Sequence, residues 1–234
     1  MVPTAVVTGA NSGIGEALTR LLESEGYRVI ATDLEIGAPI TNLGCESAKL
    51  DVSSQEDIEA FKQQMAGRPI DLLLNVAGIM YPHESDTLEK VTITKLQRTF
   101  AVNTFGPFLL TQALLPNVLK APHPRIAVVS SRVGSIADNS TGGMYSYRSS
   151  KTAVNMLFKN LAVDLKDKNV PVILLHPGIV KSNLDKKWKE GGNENVKGAV
   201  EPDVAAADLW RTLSGKGMES SGKFWHRSGE ELPW

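Results

Sequence analysis

Six short apolar segments recur along the chain, at Thr4–Thr8, Arg28–Asp33, Ala48–Val52, Asp71–Val76, Arg125–Ser131 and Val170–His176, and several are separated by stretches of helical periodicity. Ile14, Leu18, Leu21 and Leu22 fall on one helical stripe; Val154, Leu157, Phe158, Leu161 and Leu165 fall on another. Because the strands are apolar almost throughout, both of their faces are expected to be covered. This pattern predicts an α/β chain: a doubly wound parallel sheet of about seven strands with helices on both faces. A helix over Glu201–Ser214 and a last strand near Lys223–His226 complete the expected sheet. At roughly 150 residues per domain, 234 residues leave one domain or two open. No stretch reads as an interdomain linker, so residues 1–234 are read as one domain. The polar stretch Leu184–Gly198 is expected to lie on the surface, with residues 183–200 a candidate substrate lid.

Charge and cysteine content narrow the function. The 25 Lys+Arg and 26 Asp+Glu give a net charge of −1, which lacks the basic footprint of a nucleic-acid binder. A single cysteine, Cys45, forms no intramolecular disulfide, and no Cys/His cluster has metal-ligand spacing, so no metal is expected. The N-terminus runs straight into a strand without signal-peptide features, and no apolar run approaches the roughly 20 residues of a membrane span. A cytoplasmic protein without membrane partners is expected.

After the first strand, Thr8-Gly9-Ala10-Asn11-Ser12-Gly13-Ile14-Gly15 leads into an amphipathic helix. Gly9 permits a tight turn, Gly13 lets backbone approach a pyrophosphate, and Gly15 allows close packing of helix on strand, while the helix N-terminus offers free N–H groups. A purely structural turn would use glycine in the same way. Asp33 ends the second strand 18 residues beyond Gly15, where an acidic side chain accepts from the adenosine ribose. Its carboxylate would repel a 2′-phosphate, and Asn11, Ser12 and Leu34 offer no compensating cation. NAD(H) is therefore expected over NADP(H).

Tyr147-Arg-Ser-Ser-Lys151 opens the long second helix, with Tyr147 and Lys151 at i and i+4 on one side. An ammonium near a phenol, whose ordinary pKa is near 10, favours the phenolate and prepares it for proton transfer at neutral pH.

In order, the chain holds Thr8-Gly9-x-x-x-Gly13-Ile14-Gly15, Asn75-Val76-Ala77-Gly78, Asn103, Ser130-Ser131, Tyr147-x-x-x-Lys151 and Pro177-Gly178. Together these resemble the short-chain dehydrogenase/reductase superfamily, from Thr4 to about Ser182. The region Ser131–Lys151 is similar to its C-factor and sniffer-type carbonyl reductase branch.

The resemblance implies a Rossmann-type fold and a set of roles. Tyr147 would exchange a proton with the substrate oxygen, and Lys151 would bind the nicotinamide ribose and lower the Tyr147 pKa. Ser131 would hydrogen-bond the substrate oxygen, and Asn103 would hold a water that relays protons to Lys151. Asp51 and Val52 would meet the adenine, while Asn75, Ala77 and Gly78 would line the dinucleotide, with Val76 departing from the usual asparagine. Pro177, Gly178, Val180 and Ser182 would reach the carboxamide, Ser182 replacing a threonine.

The 16-residue gap from Ser131 to Tyr147 exceeds the family's usual spacing and leaves Ser130 and Tyr145 as alternatives. Only Tyr147 has lysine four residues on. Adjacent strand residues point oppositely, so the two serines cannot share one role.

The resulting expectation is an oxidoreductase that interconverts a small ketone or aldehyde and its alcohol, with a homodimer or homotetramer assembled through the helices around Lys95–Lys120 and Lys151–Asp167. A dinucleotide-binding regulatory protein with little turnover is the alternative.

Overall fold

A computed structural model describes residues 2–184 and 196–234. The expected lid, Leu184–Gly198, therefore lies mostly outside the described residues. The chain returns where it left, since Val180 and Val200 pair in a parallel bridge.

Seven parallel strands form one sheet: β1 (Thr4–Thr8), β2 (Arg28–Asp33), β3 (Glu46–Lys49), β4 (Leu72–Asn75), β5 (Arg125–Val129), β6 (Val172–His176) and β7 (Phe224–His226). Their spatial order is β3-β2-β1-β4-β5-β6-β7. Direction along the sheet reverses between β1 and β4, and a crevice opens there beyond the carboxyl ends of the strands. Among the described residues the α-helices are α1 (Gly13–Ser24), α2 (Ala38–Leu43), α3 (Gln55–Gln64), α4 (Ile93–Phe100), α5 (Gly106–Val118), α6 (Tyr145–Asp164) and α7 (Pro202–Ser214). A π-helical turn, Ala101–Phe105, joins α4 to α5.

Strand alternation builds two cores. Val6, Ile30, Leu73, Ile126 and Leu174 face Phe61 of α3, Leu110 and Leu114 of α5, and Val154 and Phe158 of α6. Their neighbours Ala5, Val7, Ala31, Leu72 and Ile173 face Leu18 and Leu22 of α1 and Leu209 and Leu213 of α7. Both layers exclude water, which explains why the strands carry so few polar residues.

One strand departs from expectation. The third was expected at Ala48–Val52 and instead covers Glu46–Lys49. It is an edge strand that, among the described residues, pairs only with β2, so Glu46 and Lys49 tolerate solvent. Leu50 and Val52, beyond the strand, are buried in the core that includes Ile58 and Phe61 of α3. No helix among the described residues is long and apolar enough to cross a membrane.

Candidate active site

The crevice is a cleft of about 360 Å³, at the lower end of the size range typical of ligand sites. At one side β1 turns into α1 through Gly9, whose φ of +70° is costly for a residue with a side chain. A Cβ on Gly9 would come within 2.9 Å of the Ala77 Cα, and one on Gly15 within 2.0 Å of the Gly9 carbonyl oxygen. The turn can thus be closed only by glycine. Thr8 ties it to the end of β4, its hydroxyl accepting from Val76 and Ala77 N–H at 2.9 and 3.0 Å. Ser12, the residue before α1, makes no side-chain cap, so the first-turn N–H groups of Gly13, Ile14 and Gly15 face the cleft uncapped. A glycine cradle and a free helix N-terminus fit the pyrophosphate of a dinucleotide.

The adenosine side is acidic. Asp33 accepts from the Asn11 N–H at 2.9 Å and the Leu34 N–H at 2.7 Å, which fixes its carboxylate at the cleft wall. Although burial opposes it, hydrogen bonds from Ser53 and the Arg98 cation hold Asp51 below the ordinary carboxylate range. Arg98 of α4 also lines the cleft, donating to the Ser53 hydroxyl at 2.8 Å and lying 3.9 Å from Asp51. Its place there follows only from the fold, since 47 residues separate it from Asp51 in sequence.

Ser131, Tyr147 and Lys151 meet at the other end of the same cleft. Tyr147 and Lys151 are buried, 6% and 4% exposed. Lys151 Nζ donates to the Val129 carbonyl at 3.0 Å and stands 5.8 Å from the centre of the Tyr147 ring. Burial pushes the Tyr147 phenol up to about 12, with a hydrogen bond from Ser131 pulling the other way. Burial also pushes Lys151 down to about 8. The expected lowering of the phenol by Lys151 is therefore corrected: desolvation outweighs an ammonium that is turned toward Val129. At neutral pH the phenol holds its proton, which is the state of an acid ready to donate.

Ser130 and Ser131 both line the cleft, in different settings. The Ser130 hydroxyl donates to Asn155 Oδ1 at 2.6 Å, whereas Ser131 is the side chain that draws the Tyr147 pKa down. Tyr145 stands at the exposed start of α6.

Val52, Gly78, Pro177, Gly178, Val180 and Ser182 also line the cleft. Three expected residues do not. Asn11 turns its side chain outward to accept from the Gly37 N–H at 3.2 Å. Asn75 is buried beneath the cleft, donating to Thr111 and to the Ala127 carbonyl. Asn103, in the π turn, clamps Ile79 through both its amide atoms, at 2.8 and 2.9 Å, and donates to Ser150 of α6 at 3.2 Å.

Sequence reasoning missed Asp86. This buried residue lies between β4 and α4, and its carboxylate accepts from the first turn of α6. Nothing in the local sequence marks it, because its partners are 60 and 61 residues away.

The short chain dehydrogenase family matches the chain over residues 3–193. The chain is 37% identical, over 99% of each protein, to 1-hydroxy-2-glutathionyl-2-methyl-3-butene dehydrogenase of Rhodococcus sp. (strain AD45). It is 36% identical to C-signal of Myxococcus xanthus over 76% of this chain and 100% of that protein. Among solved structures, the NADPH-bound carbonyl reductase from chicken fatty liver superposes with a TM-score of 0.88 at 29% identity, covering 100% of this chain and 99% of that one.

Proposed function

The chain belongs to the short-chain dehydrogenase family of oxidoreductases, and from that membership we propose that it is an NAD(H)-dependent enzyme interconverting a small ketone or aldehyde and the corresponding alcohol. The observation that carries this reading is the meeting of Ser131, a protonated Tyr147 and Lys151 at one end of a cleft whose other end is a glycine cradle.

A nicotinamide dinucleotide, when bound, supplies or accepts the hydride. Gly13, Ile14 and Gly15 would hold its phosphates by backbone N–H, and Asp33 its adenosine ribose. In reduction, Ser131 donates a hydrogen bond to the substrate oxygen and Tyr147 gives that oxygen its proton as charge develops there. Lys151, an ammonium at neutral pH, offsets the charge left on the phenolate. In oxidation the proton returns by the same route. Asn103 acts on this group indirectly, by holding Ile79, in the loop after β4, and Ser150 in place.

Asp33 supports NAD(H) over NADP(H). Among the described lining residues the cations are Arg98, engaged with Asp51 and Ser53, and Lys151, at the opposite end. The NADPH of the chicken enzyme belongs to that protein, and a higher kcat/KM with NADPH than with NADH would refute the Asp33 argument. Assembly as a homodimer or homotetramer is supported by exposed apolar side chains at Phe105, Leu109, Met156 and Val163 of the π turn, α5 and α6.

The relative named C-signal favours a second reading, a dinucleotide-binding regulatory protein with little turnover. Nicotinamide fluorescence during turnover of a panel of small ketones and aldehydes separates the two. Tyr147→Phe is expected to lower kcat by roughly 10²–10⁴-fold while dinucleotide affinity holds. Equal, negligible turnover by both proteins with tight dinucleotide binding would favour the regulatory reading.

A further inference from the structure

We propose that Asp86 is a positioning residue for the general acid, gripping the first turn of α6 so that Tyr147 is held at the substrate oxygen. The inference rests on the reading of Tyr147 as the proton donor.

Helix α6 begins without a cap of its own. The residue before it, Met144, is in the left-handed region (φ 49°, ψ 46°) and has no side-chain acceptor, so the first N–H groups have no local partner. Asp86 supplies one from a distant part of the chain. Its carboxylate accepts from the Ser146 N–H at 3.0 and 3.2 Å, from the Ser146 hydroxyl at 2.8 Å and from the Tyr147 N–H at 3.3 Å. Its carbonyl accepts from the Tyr145 N–H at 3.4 Å. The residue is 0% exposed. A buried carboxylate is tolerated here because the positive end of the helix dipole and these donors compensate its charge.

A second grip lies one turn along. Asn103 clamps Ile79 and donates to Ser150, so the segment 79–86 is fastened to α6 at both its ends, on either side of Tyr147. Thr99 of α4 reinforces the first grip by donating to the Ser146 hydroxyl at 3.3 Å. Ordinary capping needs one neutral acceptor beside the helix in sequence. Here the acceptor comes from a segment whose other end, Ile79, lines the cleft, which ties the setting of Tyr147 to that end of the wall.

The test compares Asp86→Ala, Asp86→Asn and Tyr147→Phe, alone and in combination, in the full-length protein. Misplacing a reacting group by about 1 Å costs on the order of 10²-fold, so Asp86→Ala is expected to lower kcat by roughly ten- to a hundredfold. KM and dinucleotide affinity, read by fluorescence titration, are expected to stay near wild type. Asp86→Asn keeps one acceptor oxygen and is expected to recover most of the loss. In the Tyr147→Phe background, Asp86→Ala is expected to add nothing, since the two act through one group.

A kcat unchanged in Asp86→Ala, an equal further loss in the Tyr147→Phe background, or a fall matched by lost dinucleotide affinity would each overturn the proposal. If Asp86→Ala fails to fold, faster amide exchange at Ser146 and Tyr147 in Asp86→Asn, with a reduced kcat, supports it, and unchanged exchange overturns it. A fully active Tyr147→Phe would instead remove the reading on which it rests.

Discussion

Replacing Lys151 with methionine should abolish turnover and yet stabilise the protein at neutral pH. Burial lowers the Lys151 ammonium from 10.5 to about 8, and its one hydrogen bond goes to the Val129 carbonyl. No carboxylate among the described residues lies within ion-pair distance of it. At about 1.4 kcal/mol per pH unit, carrying that charge at pH 7 costs the fold about 3 kcal/mol. Losing the bond from a charged donor to Val129 returns about 2 kcal/mol of this. Lys151→Met, similar in length and apolar, is thus expected to gain about 1 kcal/mol, a rise of about 2–4 °C in Tm for a chain of this size.

The pH dependence is the sharper signature. Above about 8 the native lysine releases its proton while the unfolded one keeps it until about 10.5, so wild-type stability rises with pH through that window. The variant lacks this rise and should lose its advantage, with the difference moving by about 2 kcal/mol between pH 8 and pH 10. Tyr147 titrates in both proteins and cancels. Urea unfolding at pH 7 and near pH 10, without dinucleotide, measures both numbers. A stability difference that does not change with pH, or a variant destabilised by more than about 1 kcal/mol at pH 7, would show that Lys151 is not an uncompensated buried charge.

Other outcomes follow from the same geometry. Gly15→Ala places a methyl 2.0 Å from the Gly9 carbonyl and should cost about 1–3 kcal/mol in urea unfolding, together with dinucleotide affinity. Ser131→Ala should lower kcat by roughly 10²-fold or more, whereas Ser130→Ala, which loses only the bond to Asn155, should cost about 1 kcal/mol of stability with kcat little changed; the reverse order would exchange their roles. His176 is held down to about 3 by burial and by the neighbouring His226, Arg132 and Arg227. Below about 6.5 the unfolded chain gains a proton the native one refuses, so stability should fall as pH drops from about 6.5 toward 3, and His176→Asn should flatten that limb by up to about 1.4 kcal/mol per pH unit.

What could be read in the sequence was whatever short-range geometry enforces. Tyr147 and Lys151 share a helix face by spacing alone, Gly9 and Gly15 belong to a turn no other residue closes, and the strand residues on either side of β1 sort into two cores by alternation. Long-range pairing was hidden. Asn11 and Asn75 match motif positions, yet their side chains serve Gly37, Thr111 and Ala127, none of which is adjacent in sequence. Asp86 and Arg98 reach the site only because the crossover segments bring them there. The upward pressure on the Tyr147 pKa was equally invisible, since spacing reports a neighbouring cation and says nothing about dehydration.

The π turn at Ala101–Phe105 holds one residue more than an α-helix needs. Removing a single residue there would still not fuse α4 and α5 into one regular helix, because Pro107 has no N–H to donate to the ladder. It would swing Asn103 by roughly 100° about the helix axis, releasing Ile79 and Ser150 together. The wide turn thus serves two ends at once, carrying the chain into a proline and aiming Asn103 at Ile79 and Ser150.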